Sequence, residues 1–145
     1  MSKYEALKLE KQLCFPLYAA SREVIKQYRP YLDALDLTYT QYITMMVFWE
    51  EKKVSVKELG QKLYLDSGTL TPVLKSLEAK GFVKRYRSTV DERVLIVEIS
   101  DKGRALRERA LSVPDEMSKV IRLAPDEADQ LYQLLYKVLR GIGES

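Results

Sequence analysis

The chain holds one cysteine, Cys14, and no histidine in its 145 residues. A single thiol excludes an intramolecular disulfide. The lack of histidine excludes a Cys/His zinc site and histidine-based acid–base catalysis. Any chemistry at Cys14 itself would run through its thiolate, because the thiolate and not the thiol is the nucleophile. Pro16 bears on this. Inside a helix a proline costs about 3 kcal/mol, whereas in the first turn it costs almost nothing. The cheaper placement starts a helix near Phe15 or Pro16. Cys14 then lies at or just before a helix N-terminus, where free N–H groups and the helix dipole favour a thiolate. A kinked, continuous helix is the alternative. Tyr18, one turn on, is the nearest phenol in the same chain. The plainer reading of Cys14 is a small buried hydrophobe between Leu13 and Phe15.

A second group of residues could meet nucleic acid. Ser67, Thr69, Thr71, Lys75 and Ser76 share one face of a helical stretch whose other face is Leu70, Val73, Leu74 and Leu77. Small hydroxyls and a cation suit a helix lying in a DNA major groove, where they reach base edges and phosphates. A solvated polar face would look the same, so the neighbouring elements must decide.

Those elements are legible from caps and periodicity. Ser55 and Glu58 have the spacing of a capping box, followed by the apolar stripe Val56, Leu59, Leu63. Asp66 is a good N-cap for the hydroxyl-bearing helix, and Gly81 stops it. Phe82 to Arg87 then alternates, STVDER turns, and Val94 to Ile99 runs back, a β-hairpin carrying Lys84, Arg85, Arg87 and Arg93. Two short helices followed by a basic hairpin read as a winged helix-turn-helix, with the second helix in the major groove and an arginine of the hairpin tip in the minor groove. Upstream, Leu9 to Leu35 reads as mostly helical. Thr38 and Gln41 form another capping-box pattern, opening a helix to about Glu51 with Tyr42, Met45, Met46 and Trp49 inward. Downstream, Ser100 caps a helix reaching about Arg122, with Leu106 and Leu111 inward and a bend at Pro114. A last helix starts near Pro125 with Asp126 and Glu127 in its first turn, and Leu131, Leu134, Leu135, Val138 and Leu139 on its apolar face. The terminal helices are more apolar than one small unit needs, and a homodimer interface is the simplest use.

Composition agrees. Hydrophobic residues are 46% and charged residues 31%, the balance of an ordinary globular domain. The length suits one domain. No apolar run is long enough for a membrane span, and the N-terminus lacks the apolar core of a signal peptide, so a cytoplasmic protein is expected. Net charge is only +3, yet Lys52 to Arg104 holds 12 Lys/Arg against 7 Asp/Glu. The excess of cations sits on the segment proposed to face nucleic acid.

With these residues in view, the chain resembles the MarR family of dimeric bacterial transcription regulators. LYLDSGTLTPVLKSLEAKGFVKR, DER in the hairpin and the Ser100–Gly103 turn carry the likeness. KLEKQLCFPLYAASREVIKQY followed by LTYTQYITMM resembles, more narrowly, the one-cysteine organic hydroperoxide resistance regulators (OhrR). The resemblance implies a fold that is mainly α with a small β-hairpin wing. Residues 1–37 and 100–145 would form a helical dimerisation region and 38–99 the winged helix-turn-helix. It implies that Cys14 is the peroxide-reactive thiolate and that Tyr28 and Tyr39 donate hydrogen bonds to it. It makes Ser67, Thr69, Thr71 and Lys75 face DNA, Arg93 the minor-groove residue with Asp91 orienting it, and Arg85 and Arg87 phosphate contacts. Tyr28 is 14 residues past Cys14, roughly 21 Å along a continuous helix. Any contact between them therefore comes from the other subunit. Relatives with two cysteines close a disulfide near the C-terminus, and this chain has no second cysteine. Oxidation would lead to a low-molecular-weight thiol adduct, a sulfenamide, a disulfide between chains or over-oxidation. The expected function is a non-enzymatic repressor of a double-stranded, pseudo-palindromic operator, released by organic hydroperoxide. Alternatives are a repressor sensing a small aromatic ligand, a one-cysteine peroxide reductase, and a protein-binding winged helix.

Overall fold

The structure, a computed structural model, describes residues 2–143. Two 3-10 turns, Glu5–Leu7 and Leu9–Lys11, lead into helix α1, Cys14–Asp33. Then follow α2 (Tyr39–Glu51), β1 (Lys53–Ser55), α3 (Val56–Leu63), α4 (Ser67–Ala79), β2 (Val83–Arg87), β3 (Leu95–Ile99), α5 (Asp101–Ala110), α6 (Val113–Val120) and α7 (Pro125–Gly143). The sheet is antiparallel in the order β1–β3–β2, with Val97 of β3 opposite Val54 on one side and Arg85 on the other. This is a winged helix: α3 and α4 make the helix pair, and β2 and β3 make the wing.

Local chemistry explains most boundaries. Thr38 and Gln41 form a full capping box: the Gln41 N–H donates to Thr38 Oγ1 at 3.3 Å, and the Thr38 N–H donates to Gln41 Oε1 at 3.0 Å. Asp66 caps α4 by accepting from the Thr69 N–H at 2.7 Å, and Ser100 caps α5 by accepting from the Gly103 N–H at 3.0 Å. Ser55 makes only half of its expected box. Its hydroxyl accepts from the Glu58 N–H, but the Glu58 carboxylate takes the Ser55 hydroxyl rather than a backbone N–H. Helix α7 starts at Pro125, and the Glu127 carboxylate accepts from the Ala124 N–H at 2.9 Å, compensating for an N-cap that has no side-chain acceptor.

The core lies where α2, α3 and α4 meet the sheet. Met45, Phe48, Leu59, Leu70, Leu74, Leu77 and Val97 are at most 1% exposed. Three expectations need correcting. On α2 it is Phe48 that is buried, while Met46 is 43% exposed, because the face toward α4 is rotated by about one position from the assumed stripe. The helix expected from Ser100 to about Arg122 is two helices. Pro114 lies in the first turn of α6, where it has no N–H to continue α5. Leu111, at that break, is 67% exposed; Val113 and Met117 fill the interior instead. The strand β1 has no signature in the sequence, since three residues are too few to show alternation.

The turn between α3 and α4 depends on Gly60. The Leu65 N–H donates to the Gly60 carbonyl at 3.0 Å, and a Cβ on Gly60 would come 2.7 Å from the Leu65 carbonyl oxygen. Gly60→Ala is therefore expected to destabilise the fold by about 1–3 kcal/mol through overpacking, despite alanine's better helix propensity. Thermal unfolding of the two proteins checks this, and an unchanged or raised Tm would contradict it.

Candidate nucleic-acid interface and thiol site

Helix α4 presents Ser67, Thr69, Thr71 and Lys75 to solvent. The Thr71 hydroxyl donates to the Ser67 carbonyl at 2.7 Å. The Thr69 backbone N–H, then its hydroxyl, hold the Asp66 carboxyl below the usual carboxylate range. Pro72 is exposed and cannot donate to the Gly68 carbonyl, which is also on the exposed face where water can replace the lost bond. Ser76, on the same face by periodicity, turns inward and accepts from Gln41 Nε2 at 2.9 Å. The turn into α4 places Tyr64 in left-handed backbone, φ 57°, with its ring exposed.

The wing holds its tip firmly. The Val90 and Asp91 N–H groups donate to Ser88 Oγ, the Ser88 N–H donates to the Val94 carbonyl at 2.8 Å, and the Val94 N–H donates to the Asp91 carbonyl at 2.9 Å. Asp91 faces Arg93 in a two-pronged fork, Nε to Oδ1 and one terminal nitrogen to Oδ2, each at 3.1 Å. The Arg93 side chain is nevertheless 91% exposed. The fork also holds the Asp91 carboxyl below its usual range. Arg85 and Arg87 differ. Arg85 is mostly covered and bonds Glu78 of α4 through its backbone N–H, Nε and a terminal nitrogen. It ties the wing to the helix pair. Arg87 is exposed and pairs with no acid among the described residues.

Cys14 is the first residue of α1 and is exposed in the protomer, so the reading as a buried hydrophobe does not describe the single chain. Leu13 beside it is 84% exposed and Phe15 43%. The Tyr18 hydroxyl accepts from Arg22, whose guanidinium also lies over the ring, and no described residue donates a hydrogen bond to the Cys14 sulfur. Tyr28 and Tyr39 come together, but not at Cys14. Their rings are 4.9 Å apart and extend through Tyr42 to Trp49, whose N–H donates to the Gly103 carbonyl at 2.9 Å. Periodicity shows Tyr42 and Trp49 as apolar lining; that they form one cluster with Tyr28 and Tyr39 is visible only in three dimensions. On α7 no residue is buried: its apolar face, including Leu131, Leu134 and Val138, is open. No described helix is long and apolar enough to cross a membrane.

Burial keeps the clustered phenols neutral. It raises the Tyr28 and Tyr39 pKa values, and, together with the neighbouring phenols, pushes Tyr42 from 10.0 up to about 12. The unfolded phenol ionises first. This contribution to stability is thus intact below 10.0 and lost as pH rises through about 12. Stability is expected to fall across that window in denaturant titrations, and less steeply in Tyr42→Phe. An identical fall in the variant would place its origin elsewhere.

A helix pair with an exposed hydroxyl face, followed by a wing with an arginine at its tip, defines a winged-helix DNA-binding regulator. Residues 26–109 match the family described as Transcriptional regulator SarA/Rot, and the chain belongs to this MarR-like family. It is similar to the organic hydroperoxide resistance transcriptional regulator of Bacillus subtilis (strain 168), 44% identical over 141 residues, 97% of this chain and 96% of that protein. It is also similar to AbfR of Staphylococcus epidermidis. Reduced AbfR bound to DNA superimposes with a TM-score of 0.79 at 35% identity, covering 97% of this chain and 99% of that one. Overoxidised AbfR bound to DNA does so with a TM-score of 0.77, again at 35% identity and with 97% and 99% covered. The chain is a transcriptional regulator and not an enzyme.

Proposed function

We propose that this protein is a homodimeric repressor whose hold on a pseudo-palindromic operator is released when Cys14 is oxidised by an organic hydroperoxide. The observation that carries this reading is an exposed thiol at the start of α1, set among open apolar side chains, in a chain whose other end is the unburied helix α7. Pairing two copies through α1, α6 and α7 would cover those faces and bring the thiol near the partner's tyrosines. The dimerisation region is residues 1–37 and 100–145, and 38–99 read DNA. Ser67, Thr69, Thr71 and Lys75 enter the major groove. Arg93, aimed by Asp91, enters the minor groove, and Arg87 meets phosphate. Arg85 reaches phosphate only as far as its bond to Glu78 allows. Tyr18, Tyr28 and Tyr39 supply the phenols around the sulfur.

The thiolate attacks the distal peroxide oxygen, the O–O bond breaks, and the alcohol leaves, giving a sulfenic acid after protonation. A low-molecular-weight thiol then displaces water to form a mixed disulfide. AbfR has been crystallised on DNA in its overoxidised state, which favours the bulkier thiol adduct over added oxygen as the releasing form here. A shifted dimer interface would change the spacing of the two α4 helices and weaken binding.

The test is operator binding and intact mass on one sample, before and after one equivalent of organic hydroperoxide with a small thiol. Loss of binding with an adduct on Cys14, reversed by reductant, is expected. Modification with binding intact would leave Cys14 a bystander and move the search to small aromatic ligands.

A further inference from the structure

We propose that Gln41 is the positioning residue through which the tyrosine cluster between α1 and α2 sets the pose of the recognition helix α4. This rests on the DNA-binding reading above. Gln41 is 6% exposed and uses both ends of its amide. Its Oε1 accepts from the Thr38 N–H and from Lys80 Nζ, both at 3.0 Å, and its Nε2 donates to Ser76 Oγ at 2.9 Å. Lys80 Nζ also donates to the Asp36 carbonyl at 2.5 Å, and Lys102 Nζ donates to the Lys80 carbonyl at 2.8 Å.

The last turn of α4 is thereby bonded to the connection between α1 and α2. Its earlier turns are held by the apolar contacts of Leu70 and Leu74, while the last turn adds these bonds to the packing of Leu77. Apolar packing is non-directional and tolerates sliding, whereas an amide with three partners specifies one position. The link begins beside the aromatic cluster. Tyr39 is the first residue of α2, directly after Thr38, and Tyr42 directly follows Gln41. Tyr39 packs at a tilt against Tyr28 of α1 and lies 6.3 Å, ring to ring, from Tyr42. A displacement of Tyr39 relative to α1 therefore moves Thr38, turns the Gln41 amide, and tilts Ser76 and Lys80. No base or phosphate needs to touch Gln41 for it to govern affinity.

Gln41→Met matches the side chain in size and removes all three bonds. Gln41→Glu keeps the oxygen toward Thr38 and Lys80 and can accept the Ser76 hydroxyl proton. Operator affinity of the reduced protein is expected to fall roughly tenfold in Gln41→Met, the scale of coupling that mutations away from both sites produce, and to return to near wild type in Gln41→Glu. Protein treated with hydroperoxide and a small thiol should lose nothing further, so the ratio of reduced to treated affinity shrinks. A purely structural role would leave that ratio alone, and an unchanged ratio overturns the proposal. Hydrogen exchange without DNA reads the link directly: amides from Ser76 to Lys80 should exchange faster in Gln41→Met, with those around Leu70 unchanged. Unaltered exchange at Ser76 to Lys80 also overturns it. Failure of the wild type to bind operator would instead overturn the DNA reading, while the exchange result would still judge the link.

Discussion

Cys14→Ser is expected to bind operator as tightly as wild type and to ignore organic hydroperoxide. Serine matches the thiol in shape, and the position carries no core packing, since Cys14 is exposed in the protomer. A hydroxyl does not form the anion that attacks a peroxide near neutral pH, and the chain has no other cysteine to take over. Wild type should lose roughly 5- to 150-fold in affinity on treatment with hydroperoxide and a small thiol, the usual range of coupling between two sites. The variant should change by no more than the error of the assay. Mass spectra separate the outcomes: a thiol adduct, a dimer linked through two Cys14 residues, or added oxygens. Release of Cys14→Ser at the doses that release wild type would sink the sensor assignment.

Arg93→Ala is expected to lower operator affinity by about 1–3 kcal/mol per contacting arginine, with both half-sites of a dimer affected. The slope of affinity against salt should fall by roughly one for each phosphate-like contact removed. The side chain is 91% exposed and bonds only Asp91, so thermal stability should stay within about 0.5 kcal/mol of wild type. Asp91→Asn should cost less, because it loosens the fork without removing the cation. Unchanged affinity of Arg93→Ala at physiological salt would take this residue off the DNA surface. Arg85→Ala provides a contrast. Its loss breaks the wing's bond to Glu78, and any fall in affinity should come with faster exchange in β2.

Several features of this protein are local and therefore written in the chain. The caps at Thr38, Asp66 and Ser100 involve groups within three residues, so spacing alone identifies them. The apolar stripe of α4, its hydroxyl face and the basic hairpin follow from periodicity and turn residues in the same way, and they were enough for the winged helix. Pro16 announced the start of α1 because proline is cheap only in a first turn. The tertiary structure decided what depends on residues far apart. It chose Phe48 over Met46 for the interior, broke the long helix at Leu111, and paired the three residues of β1 with β3. It turned Arg85 toward Glu78 and Ser76 toward Gln41, and it gathered Tyr28, Tyr39 and Tyr42 into one cluster while leaving Cys14 in the open. A side chain's type and helical phase limit which way it points. Which partner it meets there depends on elements that arrive from elsewhere in the chain, and that is a property of the assembled fold.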